Sequence, residues 1–287
     1  MTVVYNPSNK FEIKVAESEF RRAPKRILMA RVYQPQGDGL FPVLLDLHGG
    51  AWNNQDRSAN EAMDRNLASS GILVVAIDLT RAPEAAYPAS IQDANYGVRW
   101  LKHRAREWKG APETIGALGS SSGGHEIELC AMRPKDPRYN AHKLADAPDI
   151  DATLNYVATR SPVSDPFARY LNAEKLGRDE MVQNSKNYFN PWETIHEGNP
   201  QEILDRREQV TLPPLLIMQG ELDDNVRPAV QQKFVESYRA AGGECQFEIF
   251  EGCEHLWIRE PGPKTDKAYE TVKSFIARQL KAQRLAA

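Results

Sequence analysis

Gly119-Ser120-Ser121-Ser122-Gly123 sets a serine between two glycines in the pattern G-x-S-x-G, directly after a short apolar run and before a helical one. A strained strand-to-helix turn there would push the Ser121 hydroxyl out above a sheet, and side chains two positions away would collide with neighbouring backbone. A serine hydroxyl is a weak nucleophile at neutral pH, so it needs a base that is itself oriented by a third group. Of the six histidines, His255 lies in the loop Glu251-Gly252-Cys253-Glu254-His255, straight after the apolar run Cys245 to Phe250. His103 falls in a solvent-facing helical stretch, and His142 and His196 in polar loops. His125 opens the helix after Ser121 and reads as a local packing residue. The acid should come from a strand end between serine and histidine. In Met218 to Val226 the apolar run stops at Gly220 and then offers Glu221, Asp223 and Asp224.

These residues need elements that present them at one edge. Phe11 to Phe20 and Arg26 to Tyr33 read as an opening hairpin around the turn-forming Arg21 to Lys25. Continuous apolar runs at Val43 to Leu47 and Ile72 to Ile77 read as buried strands, as do Thr114 to Leu118, Thr153 to Ala158, Leu215 to Gln219 and Cys245 to Phe250. Helical spacing covers Arg57 to Ser70, Ile91 to Trp108, Ala229 to Ala241 and Asp266 to Leu280. Strands alternating with helices predict an α/β fold, a largely parallel sheet covered on both faces. Residues 163–210 break the pattern with Asp165-Pro166, Gly177, Asn190-Pro191 and Asn199-Pro200 among aromatics, and read as an insertion of short helices that covers something.

The order serine, acid, histidine is the chain order of the α/β-hydrolases. With His48-Gly49-Gly50-Ala51-Trp52, Arg81-Ala82-Pro83-Glu84, Tyr87-Pro88-Ala89, Gly220-x-x-Asp223-x-x-Val226 and Gly252-x-x-His255, the chain resembles the α/β-hydrolase superfamily. Within it, the similarity is to serine carboxylesterases of the hormone-sensitive-lipase-like and feruloyl/acetyl-esterase-like groups, from about the first strand to the last helix. The resemblance implies one α/β-hydrolase domain over residues 1–287, a mostly parallel central sheet flanked by helices, and a helical cap at about 163–210. It makes Asp223 the triad acid with Ser121 and His255, and an oxyanion hole from the backbone N–H groups of Gly49, Gly50 and Ser122. His48 would steady that loop and Ala51 stands where a further glycine donor is usual. The family places an acyl or alcohol pocket beneath its cap, for which this chain supplies Tyr170, Tyr188, Phe189, Trp192 and Trp257; Trp52 reads as core. Two departures stand out. Asp78-Leu79-Thr80-Arg81 shifts an arginine by one position, and Glu126 and Glu128 interrupt an apolar helix, where they are expected to meet cations, water or the cap.

The implied chemistry is hydrolysis of a carboxylic ester, with lactones in range, through an acyl-enzyme and with neither metal nor organic cofactor. Amide or arylformamide hydrolysis on the same triad, or a non-catalytic small-molecule receptor on this fold, are the alternatives. The 287 residues carry 41% hydrophobic and 26% charged residues and a net charge of −3, which excludes a disordered or fibrous chain and gives no basic excess for nucleic acid. No apolar stretch reaches membrane-spanning length, so a small-molecule ester is the expected partner and self-association is compatible with the chain. No H-E-x-x-H or Cys/His cluster is present to hold zinc. Cys130, Cys245 and Cys253 lack C-x-x-C spacing, and Met1 to Lys14 has no apolar leader core, so a cytoplasmic location is expected.

Overall fold

A computed structural model of the chain describes residue 3 and residues 5–286. Met1, Thr2, Val4 and Ala287, part of the expected 1–287 domain, lie outside the described residues. Eight strands form one sheet: β1 (Ile13–Arg22), β2 (Ile27–Pro35), β3 (Phe41–Leu47), β4 (Leu73–Ile77), β5 (Gly110–Ser120), β6 (Val157–Arg160), β7 (Leu215–Gly220) and β8 (Cys245–Phe250). Their order is β1-β2-β4-β3-β5-β6-β7-β8. The β1/β2 and β2/β4 pairs are antiparallel, and β4 to β8 run parallel.

Every residue of β3, β4 and β7 is buried, because helices cover both faces. Alternate side chains part accordingly. Val43, Leu45, Leu47, Val75 and Ile77 join one core with Ile91 and Leu101 of α2 (Ala89–Arg104) and Ile127 of α3 (Ser122–Met132). Leu44, Val74 and Leu118 join the other with Leu67 of α1 (Glu61–Ser69) and Phe275 of α9 (Pro263–Ala286). Between β6 and β7 lie α4 (Pro166–Lys175), α5 (Asp179–Tyr188), α6 (Thr194–Glu197) and α7 (Pro200–Asp205); α8 (Pro228–Ala240) joins β7 to β8.

Among the boundaries that differ from the sequence expectation, three follow from local contacts. Strand β6 starts at Val157, because the Asp151 carboxylate accepts from the Thr153 amide at 3.0 Å and holds a turn where a strand was expected. The strand therefore ends at Arg160, beside the serine elbow. Helix α1 starts only at Glu61, since the Asp56 carboxylate accepts from the Ser58 amide at 2.8 Å in a preceding turn. Helix α2 ends at Arg104 and tightens into a 3₁₀ turn over Ala105–Trp108. In the insertion, the Asp165-Pro166 and Asn199-Pro200 pairs start helices, whereas Asn190-Pro191 precedes α6 without capping it. The Asp165 and Asn199 side chains accept from the Ala168 amide at 2.9 Å and the Glu202 amide at 3.2 Å, and each following proline sits in the first turn.

Candidate active site

Ser121 sits at φ 51°, ψ −116°, the cap position of α3, directly after β5. A side chain on Gly123 would stand 2.4 Å from the carbonyl oxygens of Leu47 and His48, and one on Gly119 would stand 2.6 Å from the Gly123 oxygen. The glycines are thus demanded by close backbone approach between the serine turn and the end of β3. That contact also brings the loop after β3 against the nucleophile.

The Ser121 hydroxyl donates to His255 Nε2 across 3.0 Å, and His255 Nδ1 donates to Asp223 Oδ2 across 2.8 Å. Asp223 is fixed by more than the histidine. Gln219 Nε2 donates to its Oδ2 at 3.0 Å, and the amides of Asn225 and Val226 donate to its Oδ1 at 3.0 and 2.8 Å. Burial alone would raise this carboxyl, but the His255 hydrogen bond and charge, with the donors around it, hold it below the usual carboxylate range. His255 is lowered, because burial outweighs the opposing pull of Asp223. It is therefore neutral, and able to accept a proton, at physiological pH. Asp224 faces outward and pairs with Arg178 of the insertion, so the two adjacent aspartates have separate partners.

Gly49, Gly50 and Ala51 line the same cleft as Ser121 and His255, a cavity of about 820 Å³. The amides of Gly49 and Gly50 have no acceptor among the described residues, and Ser122, at the first helical position of α3, has no intrahelical partner for its own. His48 Nδ1 donates to the Gly49 oxygen at 2.7 Å and braces the loop, while burial keeps its ring neutral. Trp52 is core: its ring stacks on Tyr188 at 4.8 Å and its Nε1 donates to His125 Nδ1 at 3.1 Å. His125 Nε2 in turn donates to the Gly198 oxygen at 2.7 Å, and burial lowers its pKa to about 4. It is a neutral strut joining the loop after β3, helix α3 and the insertion.

The expected aromatic pocket is corrected. Tyr188 and Phe189 are only 1% exposed and pack with Trp52, Tyr87 and His125. Tyr170 packs on Trp192 at 4.5 Å, and neither lines the cleft. Trp257 stacks on Phe250 at 4.4 Å on the far side of the His255 loop, since the 3₁₀ turn Trp257–Arg259 carries its ring away from the serine. Large apolar rings found better burial against one another than at a wet cleft. The cleft wall is mixed instead, with Met63, Leu118, Leu256 and Ile258 beside its polar residues. It holds Arg160, Arg169, Arg178 and Asn225, with Met181 and Asn184 of α5 at its mouth. Arg160 Nη1 donates to the His255 oxygen at 2.9 Å.

Glu126 and Glu128 do not meet cations: both are buried in α3, and no ion pair reaches them among the described residues. Burial pushes each up to about 8. The displaced arginine is accommodated without an ion pair, Arg81 Nη1 donating to the Gln55 oxygen at 2.9 Å, while Asp78 takes Arg57 at 3.1 Å and Glu84 takes Arg26 at 3.5 Å.

The family model described as BD-FAE matches residues 31–238. The chain belongs to the BD-FAE family. This BD-FAE chain is 26% identical over 209 residues to esterase LipQ of Mycobacterium tuberculosis, covering 70% of the chain and 46% of that protein. It is 22% identical over 255 residues to the isoprenylcysteine alpha-carbonyl methylesterase ICME of Arabidopsis thaliana, covering 85% of the chain and 58% of that protein. Against the probable carboxylic ester hydrolase LipM of M. tuberculosis it is 37% identical over 103 residues, 35% of the chain and 24% of that protein. The chain thus spans between 24% and 58% of the length of these curated relatives. Esterase B from Lactobacillus rhamnosis superposes with a TM-score of 0.79 at 20% identity, covering 98% of this chain and 89% of that one. Thermogutta terrifontis esterase 2 phosphorylated by paraoxon superposes at 0.74 with 19% identity, covering 92% and 94%. These likenesses show the α/β-hydrolase fold.

Proposed function

We propose that the chain is a serine hydrolase that cleaves carboxylic esters through an acyl-enzyme on Ser121. The observation that carries this reading is the relay Ser121–His255–Asp223, with 3.0 and 2.8 Å between successive partners and a neutral central imidazole. Its relatives named as esterases point the same way. Ser121 Oγ attacks the acyl carbon while His255 Nε2 takes its proton; the new oxyanion meets the free amides of Gly49, Gly50 and Ser122, each worth about 3 kcal/mol in comparable sites. Collapse expels the alcohol, which receives the proton from His255. Water, deprotonated by the same nitrogen, then releases the acid. Asp223 stays ionised throughout and holds the imidazole in the productive tautomer. No step calls for a group beyond the chain and water.

The segment 163–210 acts as the cap in this reading, since Arg178, Met181 and Asn184 stand over the cleft. The partner is a small-molecule ester. A cytoplasmic location fits the three buried free cysteines; among the described residues no helix is long and apolar enough to cross a membrane.

The test is stoichiometric labelling by a fluorophosphonate together with turnover of acetyl, butyryl, aryl, lactone and formamide substrates, with Ser121→Ala as control. Labelling and ester turnover that vanish in Ser121→Ala are expected. Neither labelling nor turnover would make the chain a receptor, and turnover confined to formamides would move the leaving group from alcohol to amine.

A further inference from the structure

Two arginines lie buried at the cleft, and they are employed differently. Arg160, at the end of β6, has its Nη1 on the His255 backbone oxygen and so helps set the height of the base. Arg169, on α4, is 5% exposed and lines the cleft that holds Ser121 and His255. Its Nε donates to Asn225 Oδ1 at 2.8 Å, and its guanidinium lies 5.5 Å from the centre of the Trp52 ring. Its Nη1 is buried without a partner, and no carboxylate comes within ion-pair distance of it among the described residues. The charge whose field it feels is Asp223, but the oxygens of that group are already taken by His255, Gln219 and the amides of Asn225 and Val226.

A buried guanidinium that lacks an anion is costly to fold around. Here it is also immobilised, by an aromatic face from the oxyanion loop and an amide oxygen from the acid loop. Neither contact engages Nη1, which is enclosed and unpartnered, so an anion entering from the cleft would draw that edge of the guanidinium toward itself and supply the partner it lacks. Of the other arginines that line the cleft, Arg178 already has Asp224, Arg160 is on the His255 oxygen, and Arg259 is exposed to water. The carboxylates around the cleft do not compete: Glu180 and Glu254 are exposed at its rim, and Glu61 is paired with Arg31 and Arg65. The cleft that holds Ser121 thus has a buried guanidinium on its wall with no carboxylate paired to it among the described residues.

We propose that the ester taken by this site carries a second, anionic group of carboxylate geometry, and that Arg169 is the specificity-determining residue that binds it. This rests on the hydrolase reading of Ser121 and adds the substrate class to it. Burial weakens the guanidinium's hold on its own proton, to a pKa of about 10, which still leaves it charged at neutral pH. The Trp52 contact couples recognition to catalysis, since the same ring belongs to the loop that carries Gly49 and Gly50.

The experiment compares matched esters that differ only in charge. On the acyl side the pair is 4-nitrophenyl hydrogen succinate and 4-nitrophenyl butyrate; on the alcohol side it is 4-acetoxybenzoate and 4-methylphenyl acetate. Wild-type protein should prefer the anionic member of one pair by at least about tenfold in kcat/KM, and the pair that responds tells which half of the ester faces Arg169. In Arg169→Met that ratio should fall by about 30-fold or more, chiefly through KM, and Arg169→Lys should restore part of it, because a charge remains but the fork is gone. Free succinate or benzoate should inhibit wild type competitively and Arg169→Met far less. Absence of an anionic preference in wild type for both pairs overturns the proposal without requiring any variant to fold. An equal loss on both members of the responding pair in Arg169→Met overturns it too, and assigns Arg169 to holding the cap. Failure of the hydrolase reading looks different: no ester of either kind is turned over and the fluorophosphonate does not label Ser121.

Discussion

The serine side of the cleft and the cap side are built on different principles. On the serine side, most positions are set by contacts over a few residues: Gly119 against Gly123, the amides of Asn225 and Val226 that clasp Asp223, and His48 bonded to the next residue's carbonyl, with Gly123 against Leu47 and His48 the long-range exception. On the cap side they are set by partners far away in sequence, such as Tyr188 on Trp52, Arg178 on Asp224 and Arg169 on Asn225. In the proposed hydrolase, local geometry then fixes the reaction and long-range packing fixes what reaches it. Mutations on the two sides should therefore fail in different ways.

The largest expected effect lies on the serine side. Ser121→Ala and His255→Ala should each cost roughly 10⁵–10⁶ in kcat with the fold intact, and Asp223→Asn about 10⁴, because the triad acts as a unit. Asp224→Asn only loosens an exposed ion pair to the cap and should cost no more than roughly fivefold. Steady-state kinetics on purified variants with unchanged circular dichroism decide this, and the reverse ranking of the two aspartates would place the acid at Asp224.

The contrast explains what could be read before the structure. The elbow, the histidine loop and the alternation of strands and helices were legible because steric demand and periodicity act locally. Even the choice of Asp223 over Asp224 has a local cause, as an aspartate whose oxygen accepts from the amides two and three residues on cannot turn outward. The packing of Tyr188 and Trp257 away from the cleft was not legible. Nothing within reach of Tyr188 or Trp257 in the sequence announces the rings 136 and 7 positions away, Trp52 and Phe250, that bury them. Arg169 was missed for the opposite reason, since a lone arginine in a short polar helix reads as surface until the fold closes over it. The Asp165-Pro166 and Asn199-Pro200 signals were visible but read as breaks rather than as helix starts.

Trp257 sharpens the comparison because it is two residues from the catalytic histidine yet packs away from the cleft. Trp257→Ala should cost about 3 kcal/mol of stability, in the range for a truncated core aromatic. Its kcat/KM should fall by a common factor across acyl lengths, with the ranking preserved. Urea denaturation beside a chain-length series measures both, and a reordered ranking at near-normal stability would return Trp257 to the substrate pocket.

A smaller effect concerns pH. Burial lowers His255 below the ordinary value of 6.5, so the unprotonated base persists to lower pH than a free imidazole would. The acidic limb of kcat/KM should have its midpoint below pH 6.5, falling about tenfold per pH unit beneath it. In Asp223→Asn the stabilisation of the protonated imidazole is lost, which moves the midpoint lower still in whatever activity remains. A midpoint above 6.5 in wild type would mean that the Asp223 field outweighs burial.

The smallest expected effect concerns α3 beneath the serine, where local legibility ran out. Glu128 is buried with both carboxylate oxygens unpartnered, and the Ser164 hydroxyl beside it makes no hydrogen bond of good geometry. Burial raises the folded-state carboxyl to about 8 from an unperturbed 4.5. Between those values the unfolded chain has released the proton while the folded chain keeps it. The favourable contribution is therefore complete below pH 4.5 and is lost as pH rises toward 8. Glu128→Gln keeps the shape and removes the titration, so it should gain stability relative to wild type as pH rises between those values, by at most about 1.4 kcal/mol for each pH unit. Near pH 4.5 the two proteins should melt together. Thermal melts at half-unit intervals from pH 4.5 to 8.5 resolve the slope. A constant difference across that range would mean that Glu128 is ionised in the fold and has found a cation.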